Sequence, residues 1–125
     1  MRDGKHVILC VDDDPDVLEA MRIVLEANNY LMETAGSAEE GLQRYQVSNP
    51  DLVIIDLMME EVDAGTRLVT ELKAIGNKAP VFMLSSVGDQ LNIMIDAAQL
   101  GLAGTFQKPI DPGVLLRTLG AKLKR

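Results

Sequence analysis

Residues 6–16 read His6-Val7-Ile8-Leu9-Cys10-Val11-Asp12-Asp13-Asp14-Pro15-Asp16, and this stretch decides the fold. Its unbroken apolar run suits a strand buried on both faces, as in a parallel sheet. The acids that follow end the strand. Asp14 is fitted to cap a helix, and Pro15 to take the first helical position, where a missing N–H costs nothing. From there Val17, Leu18, Met21, Val24 and Leu25 recur at helical spacing until Asn28-Asn29 stop the helix. Buried strand, acidic turn and amphipathic helix make one β–α unit.

The same grammar repeats outward along the chain. Further strands are predicted at 30–35, 51–56, 80–86 and 103–107, the second and fifth being weaker and suited to the sheet edges. Ser37 and Glu40 form a capping box ahead of a helix carrying Ala38, Gly41, Leu42 and Tyr45. In the third helix Leu68, Leu72 and Ile75 are expected to face inward before Gly76, and two more helices are predicted at about 89–100 and 112–123. Five such units with short loops give an α/β fold: a doubly wound, five-stranded parallel sheet with helices on both faces and right-handed crossovers. In the common strand order 2-1-3-4-5, ligands bind beyond the carboxyl ends of strands 1 and 3. Strand 1 ends in Asp12-Asp13 and strand 3 in Asp56.

Size and charge agree. The 125 residues are expected to form one domain, 1–125. One cysteine, Cys10, excludes a disulfide framework, and no His/Cys cluster has zinc-site spacing. The start Met1-Arg2-Asp3-Gly4-Lys5 has no apolar signal segment, and no stretch approaches the ~20 apolar residues of a membrane span, so a cytoplasmic protein is expected. A net charge of −7 argues against direct nucleic-acid binding. Residues 1–63 hold 15 acids and 4 bases, a net of −11; residues 64–125 hold 4 acids and 8 bases, a net of +4. Acid so concentrated is costly unless solvated or bound to a cation.

Three carboxylates, from Asp12, Asp13 and Asp56, converging on one crevice repel one another, and a divalent cation relieves this. Oxygen-only ligation by a few carboxylates plus water describes Mg²⁺, and Mg²⁺ implies phosphate. Ser85 at the end of strand 4 and Lys108 at the end of strand 5 are placed to meet phosphoryl oxygens, while a carboxylate acts as nucleophile to give an aspartyl phosphate.

With Val11-Asp12-Asp13-Asp14-Pro15, the run from Asp51 through Asp56 to Met59, Leu84-Ser85-Ser86 and Lys108-Pro109 on five β–α units, the chain resembles the receiver domain of two-component response regulators over nearly its whole length. The resemblance implies a flavodoxin-like fold in which Asp56 accepts a phosphoryl group from a histidine kinase or a phosphotransfer protein. It implies Mg²⁺ held by Asp12, Asp13, Asp56 and the Met58 backbone carbonyl, with Lys108 paired to the phosphoryl group and Ser85 turning toward it. It further implies a cis Lys108–Pro109 bond. A partner-binding surface on the fourth helix, the fifth strand and the fifth helix would then act on a downstream effector or output domain, or form a homodimer. Such a protein catalyses only its own phosphorylation from small phosphodonors and its own dephosphorylation.

The departures are specific. Thr105 stands where the family carries an aromatic switch residue, and neighbouring Phe106 is expected on the opposite strand face. Glu60-Glu61 replaces the usual Pro-Gly, and Asp63-Ala64 stands where Asp-Gly is favoured; these acids are expected to tighten metal binding or select a kinase with a basic rim. Met58 and Val87, both apolar, lie at positions that, by the resemblance, influence water attack on the phosphoryl group, and slow self-dephosphorylation is expected.

Other features have plainer readings. Cys10 is read as a buried structural thiol, His6 as a surface residue, and most methionines as core filler. Residues 89–100 carry more apolar side chains than one stripe needs and suggest a contact patch. Lys122, Lys124 and Arg125 read as a solvated helix end. Two competing functions are a pseudo-receiver interaction module and a haloacid-dehalogenase-like phosphatase; the second lacks its motif residue at Asp16 and any cap insertion. An EF-hand fails at Val17 and Ile23, and no P-loop or dinucleotide glycine motif occurs.

Overall fold

The computed structural model describes residues 1–57, 59, 64–86 and 101–123. The first apolar run forms β1 (Val7–Val11), followed by α1 (Pro15–Ala27), β2 (Leu31–Ala35), α2 (Ala38–Ser48) and β3 (Leu52–Asp56). After these come α3 (Ala64–Ala74), β4 (Val81–Ser85), β5 (Gly104–Gln107) and α4 (Pro112–Lys122), the last being the fifth helix of the sequence reading. The predicted helix at 89–100 and its contact patch lie outside the described residues. So do Met58, Glu60, Glu61, Asp63, Val87, Lys124 and Arg125.

All five strands are parallel, in the order β2-β1-β3-β4-β5. The weaker strands stand at the two edges, as their composition predicts. Residue alternation divides the core into two layers. Leu9, Val11, Val53, Ile55 and Met83 face α2 and α3, against Ala38, Leu68, Val69 and Leu72. Ile8, Cys10, Leu52, Ile54, Phe82, Leu84 and Phe106 face α1 and α4, against Met21, Leu25, Leu115 and Leu119. β1, β3 and β4 are buried along their whole length, which accounts for their unbroken apolar runs.

Helix ends follow local chemistry. Asp14 Oδ1 accepts from Asp16 N at 2.9 Å, with Pro15 opening α1. Ser37 Oγ accepts from Glu40 N at 3.1 Å, but the Glu40 carboxylate takes the Gly36 N–H, one residue before the position a reciprocal capping box uses. α3 closes in a Schellman motif, Gly76 N donating to Lys73 O and Asn77 N to Leu72 O, with Gly76 at φ 86°. This corrects the expectation for Ile75. It sits at the turn out of the helix and is 49% exposed, whereas Leu68 and Leu72 are buried as predicted.

His6 is also corrected. Pairing with β2 begins there, its carbonyl accepting from Leu31 N at 3.0 Å, and the residue is buried rather than superficial. Among the described residues no helix is long and apolar enough to cross a membrane.

Candidate functional site

Strand register builds the site. Val11 pairs with Ile55 across β1 and β3, so the next residues, Asp12 and Asp56, emerge side by side at the carboxyl edge of the sheet. Alternation carries the same logic further. Asp12 continues the face of Ile8 and Cys10, Asp56 that of Leu52 and Ile54, and Lys108 that of Phe106. Three charged side chains thus continue the α1/α4 layer where its apolar residues stop.

Asp12 and Asp56 are buried and Asp13 is exposed, and one carboxylate oxygen of each lies within 4.8 Å of the others. Asp12 Oδ1 accepts from Asp14 N at 2.9 Å, which aims its second oxygen inward. Lys108 Nζ lies 3.0 Å from that oxygen, Asp12 Oδ2, and 3.2 Å from Asp56 Oδ1. The first approach is close enough for an ion pair but is not aligned as a hydrogen bond, so Asp12 Oδ2 is a buried oxygen with no hydrogen-bond partner among the described residues.

Burial lowers the pKa of the Lys108 ammonium, but contact with Asp12 and the charges of Asp12 and Asp56 outweigh this and hold it above its ordinary value. One ammonium cannot neutralise three carboxylates. A buried acceptor without a hydrogen bond, flanked by two more carboxylates, fits a small hard cation.

The fourth strand contributes in two ways. Ser85 is buried, and its hydroxyl donates to Phe106 O at 3.5 Å, a contact long enough to hold it only weakly. Its carbonyl accepts from Lys108 N at 2.7 Å, which pins the end of β5 beside the acids, and the Lys108–Pro109 bond is cis. On β5, Thr105 is exposed, whereas Phe106 is buried and stacks on Phe82 with ring centroids 5.0 Å apart, on the face opposite to Thr105 as alternation predicts.

The structure therefore brings together Asp12, Asp13, Asp56 and Lys108, with Ser85 on the adjoining strand. Met58, expected to contribute a carbonyl, lies outside the described residues.

Gly65 escaped the sequence reading. A Cβ built there would run into the Asp56 carbonyl oxygen and lie 3.1 Å from Leu57 O and 3.2 Å from Leu57 Cα. The chain does place a glycine against the end of β3, but at Gly65, one residue after Ala64, the position where the receiver family favours glycine. A glycine in the first turn of a helix was the available signal.

A family model described as response regulator receiver domain matches residues 8–120. The chain is 34% identical over 121 residues to the chemotaxis protein CheY of Bacillus subtilis (strain 168), covering 94% of this chain and 98% of that protein. It is 33% identical over 118 residues to the transcriptional regulatory protein GlrR of Escherichia coli (strain K12), covering 94% of this chain. It spans 26% of GlrR and no more than about half the length of several other curated relatives. The solved structure of a response regulator receiver domain protein from Clostridium thermocellum superposes with a TM-score of 0.84 at 27% identity, covering 94% of this chain and 93% of that one. With the register-built acid cluster and the matched span together, the chain belongs to the response regulator receiver domain family.

Proposed function

We propose that Asp56 is the phosphoacceptor of a signalling switch. The observation that carries this reading is the meeting of Asp12, Asp13 and Asp56 within 4.8 Å, with Lys108 against two of them. An Asp56 carboxylate oxygen attacks phosphorus, and the P–N bond of a donor phosphohistidine breaks. The electron pair goes to the imidazole nitrogen, which takes up a proton. The donor is a histidine kinase or a phosphotransfer protein.

Asp12, Asp13 and Asp56 would hold Mg²⁺, with the Met58 carbonyl as a further ligand. When bound, the ion neutralises charge that develops on the transferring phosphoryl oxygens. Lys108 supplies a positive charge to the same oxygens. After transfer, Ser85 exchanges its weak bond to Phe106 O for a phosphoryl oxygen, which repacks β4 against β5. A surface that includes β5 and α4 then meets a downstream effector, an output domain or a second copy of the chain. Residues 1–125 act as one unit, a cytoplasmic switch whose only catalysis is its own phosphorylation and dephosphorylation.

Intact-mass measurement after incubation with acetyl phosphate tests this, with and without Mg²⁺, on the wild type and Asp56→Asn. A single Mg²⁺-dependent adduct, absent in the variant, is expected. A folded wild type that gains no adduct would overturn the reading in favour of an interaction module that works unmodified, a reading to which the exposed, non-aromatic Thr105 lends weight.

A further inference from the structure

We infer that Gly65 is the positioning residue that sets the acceptor end of β3, an inference that rests on Asp56 being the acceptor. Glycine here is not serving a left-handed turn, because Gly65 is not among the residues with positive φ. What it provides is approach. The first turn of α3 lies directly on the Asp56–Leu57 peptide, with the Asp56 carbonyl oxygen inside the space a Cβ would take and Leu57 O and Cα crowding it at 3.1 and 3.2 Å. These are backbone atoms, so no rotamer change can make room.

The consequence falls on the site. Asp56 is the last residue of β3, with its carboxylate on Lys108 and its carbonyl under Gly65. Leu57 N donates to Leu84 O at 2.9 Å, so the strand end is held by β4 on one side and by the start of α3 on another. A side chain at position 65 must push the helix off the strand or rotate the Asp56–Leu57 peptide. Rotation of the peptide displaces the Asp56 carboxylate relative to Asp12 and Asp13, and movement of the helix frees the strand end to do the same.

Gly41 is the natural control. A Cβ there would lie 2.9 Å from Leu68 Cδ2 and 3.1 Å from a Val11 methyl, which are side-chain atoms of the core rather than the backbone of the acceptor strand end.

The experiment compares Gly65→Ala and Gly41→Ala with the wild type in three measurements besides the thermal midpoint. These are Mg²⁺ affinity by calorimetric titration, the rate of adduct formation with acetyl phosphate, and the metal-free ¹⁵N signal of the Lys108 ammonium. Both variants should lower the thermal midpoint. Gly65→Ala alone should weaken Mg²⁺ binding about tenfold or more, slow adduct formation and shift the Lys108 signal. If Gly65→Ala does not fold in buffer, the measurements are made with trimethylamine N-oxide present.

Wild-type values in Gly65→Ala would overturn the inference, and so would equal losses in both variants. A Gly65→Ala chain that stays unfolded with the osmolyte would assign the residue a purely structural role. If the wild type neither binds Mg²⁺ nor forms an adduct, the acceptor reading fails separately, and the Lys108 signal alone decides whether Gly65 positions Asp56.

Discussion

The Lys108 ammonium stands 3.0 Å from Asp12 Oδ2, a buried oxygen that takes no hydrogen bond from any described residue. One lysine thus provides the counter-charge for two buried carboxylates, Asp12 and Asp56. Removing one partner of a buried ion pair leaves an uncompensated charge. Lys108→Met is therefore expected to destabilise the metal-free protein by about 3 kcal/mol. Chemical denaturation should show this, and saturating Mg²⁺ should restore part of the loss.

Asp13 leads to the opposite sign. Its exposed carboxylate adds negative charge to a cluster already short of counter-ions. Asp13→Asn relieves repulsion, and the metal-free thermal midpoint should rise by about 3 °C. The same variant should lose the stabilisation that Mg²⁺ gives the wild type, which a ligand at a hundred times its Kd supplies at about 2.7 kcal/mol. Thermal scans with and without Mg²⁺ check both effects.

Cys10 gives the chain an alkaline liability. Burial pushes its thiol far above the ordinary value of 9.0, with Arg22 opposing slightly and Asp12 adding to the rise. The folded state therefore keeps the proton while the unfolded chain loses it above pH 9. The native state then binds more protons, so stability is full below pH 9 and falls above it by about 1.4 kcal/mol per pH unit. Denaturant unfolding from pH 8 to 10 should show this slope in the wild type and a shallower one in Cys10→Ala. Thiol reagents at pH 8 should leave the folded protein unlabelled.

Two structural substitutions calibrate these effects. Asp111 Oδ1 caps α4, accepting from Gly113 N at 2.7 Å and Val114 N at 3.3 Å, so Asp111→Ala should cost about 1 kcal/mol. Leu68 is fully buried between α3 and the sheet, and Leu68→Ala should cost about 2–5 kcal/mol. Denaturant midpoints at unchanged slope measure both.

Residues whose role depends on a few neighbours in the chain were legible before the structure. Pro15 after Asp14 predicted the start of α1, and the strands expected at 6–12 and 51–56 lie within a residue of the observed ends of β1 and β3. Ile75 misled because helical spacing continues one residue past the point where Gly76 turns the chain. His6 misled because a polar residue next to Lys5 reads as surface, whereas pairing with β2 already begins there and the residue is buried.

The sequence by itself determined the alternation of strands and helices, the acids at the strand ends and the lysine before Pro109, because hydrophobic period and turn chemistry act over a few residues. Only the tertiary structure decided that Asp12 and Asp56 emerge side by side, that Lys108 reaches both, and that Gly65 rather than Ala64 lies on the acceptor peptide. Those relations join residues 9 to 96 positions apart. They are set by strand register and the close packing of a helix on a strand end, which no local pattern specifies.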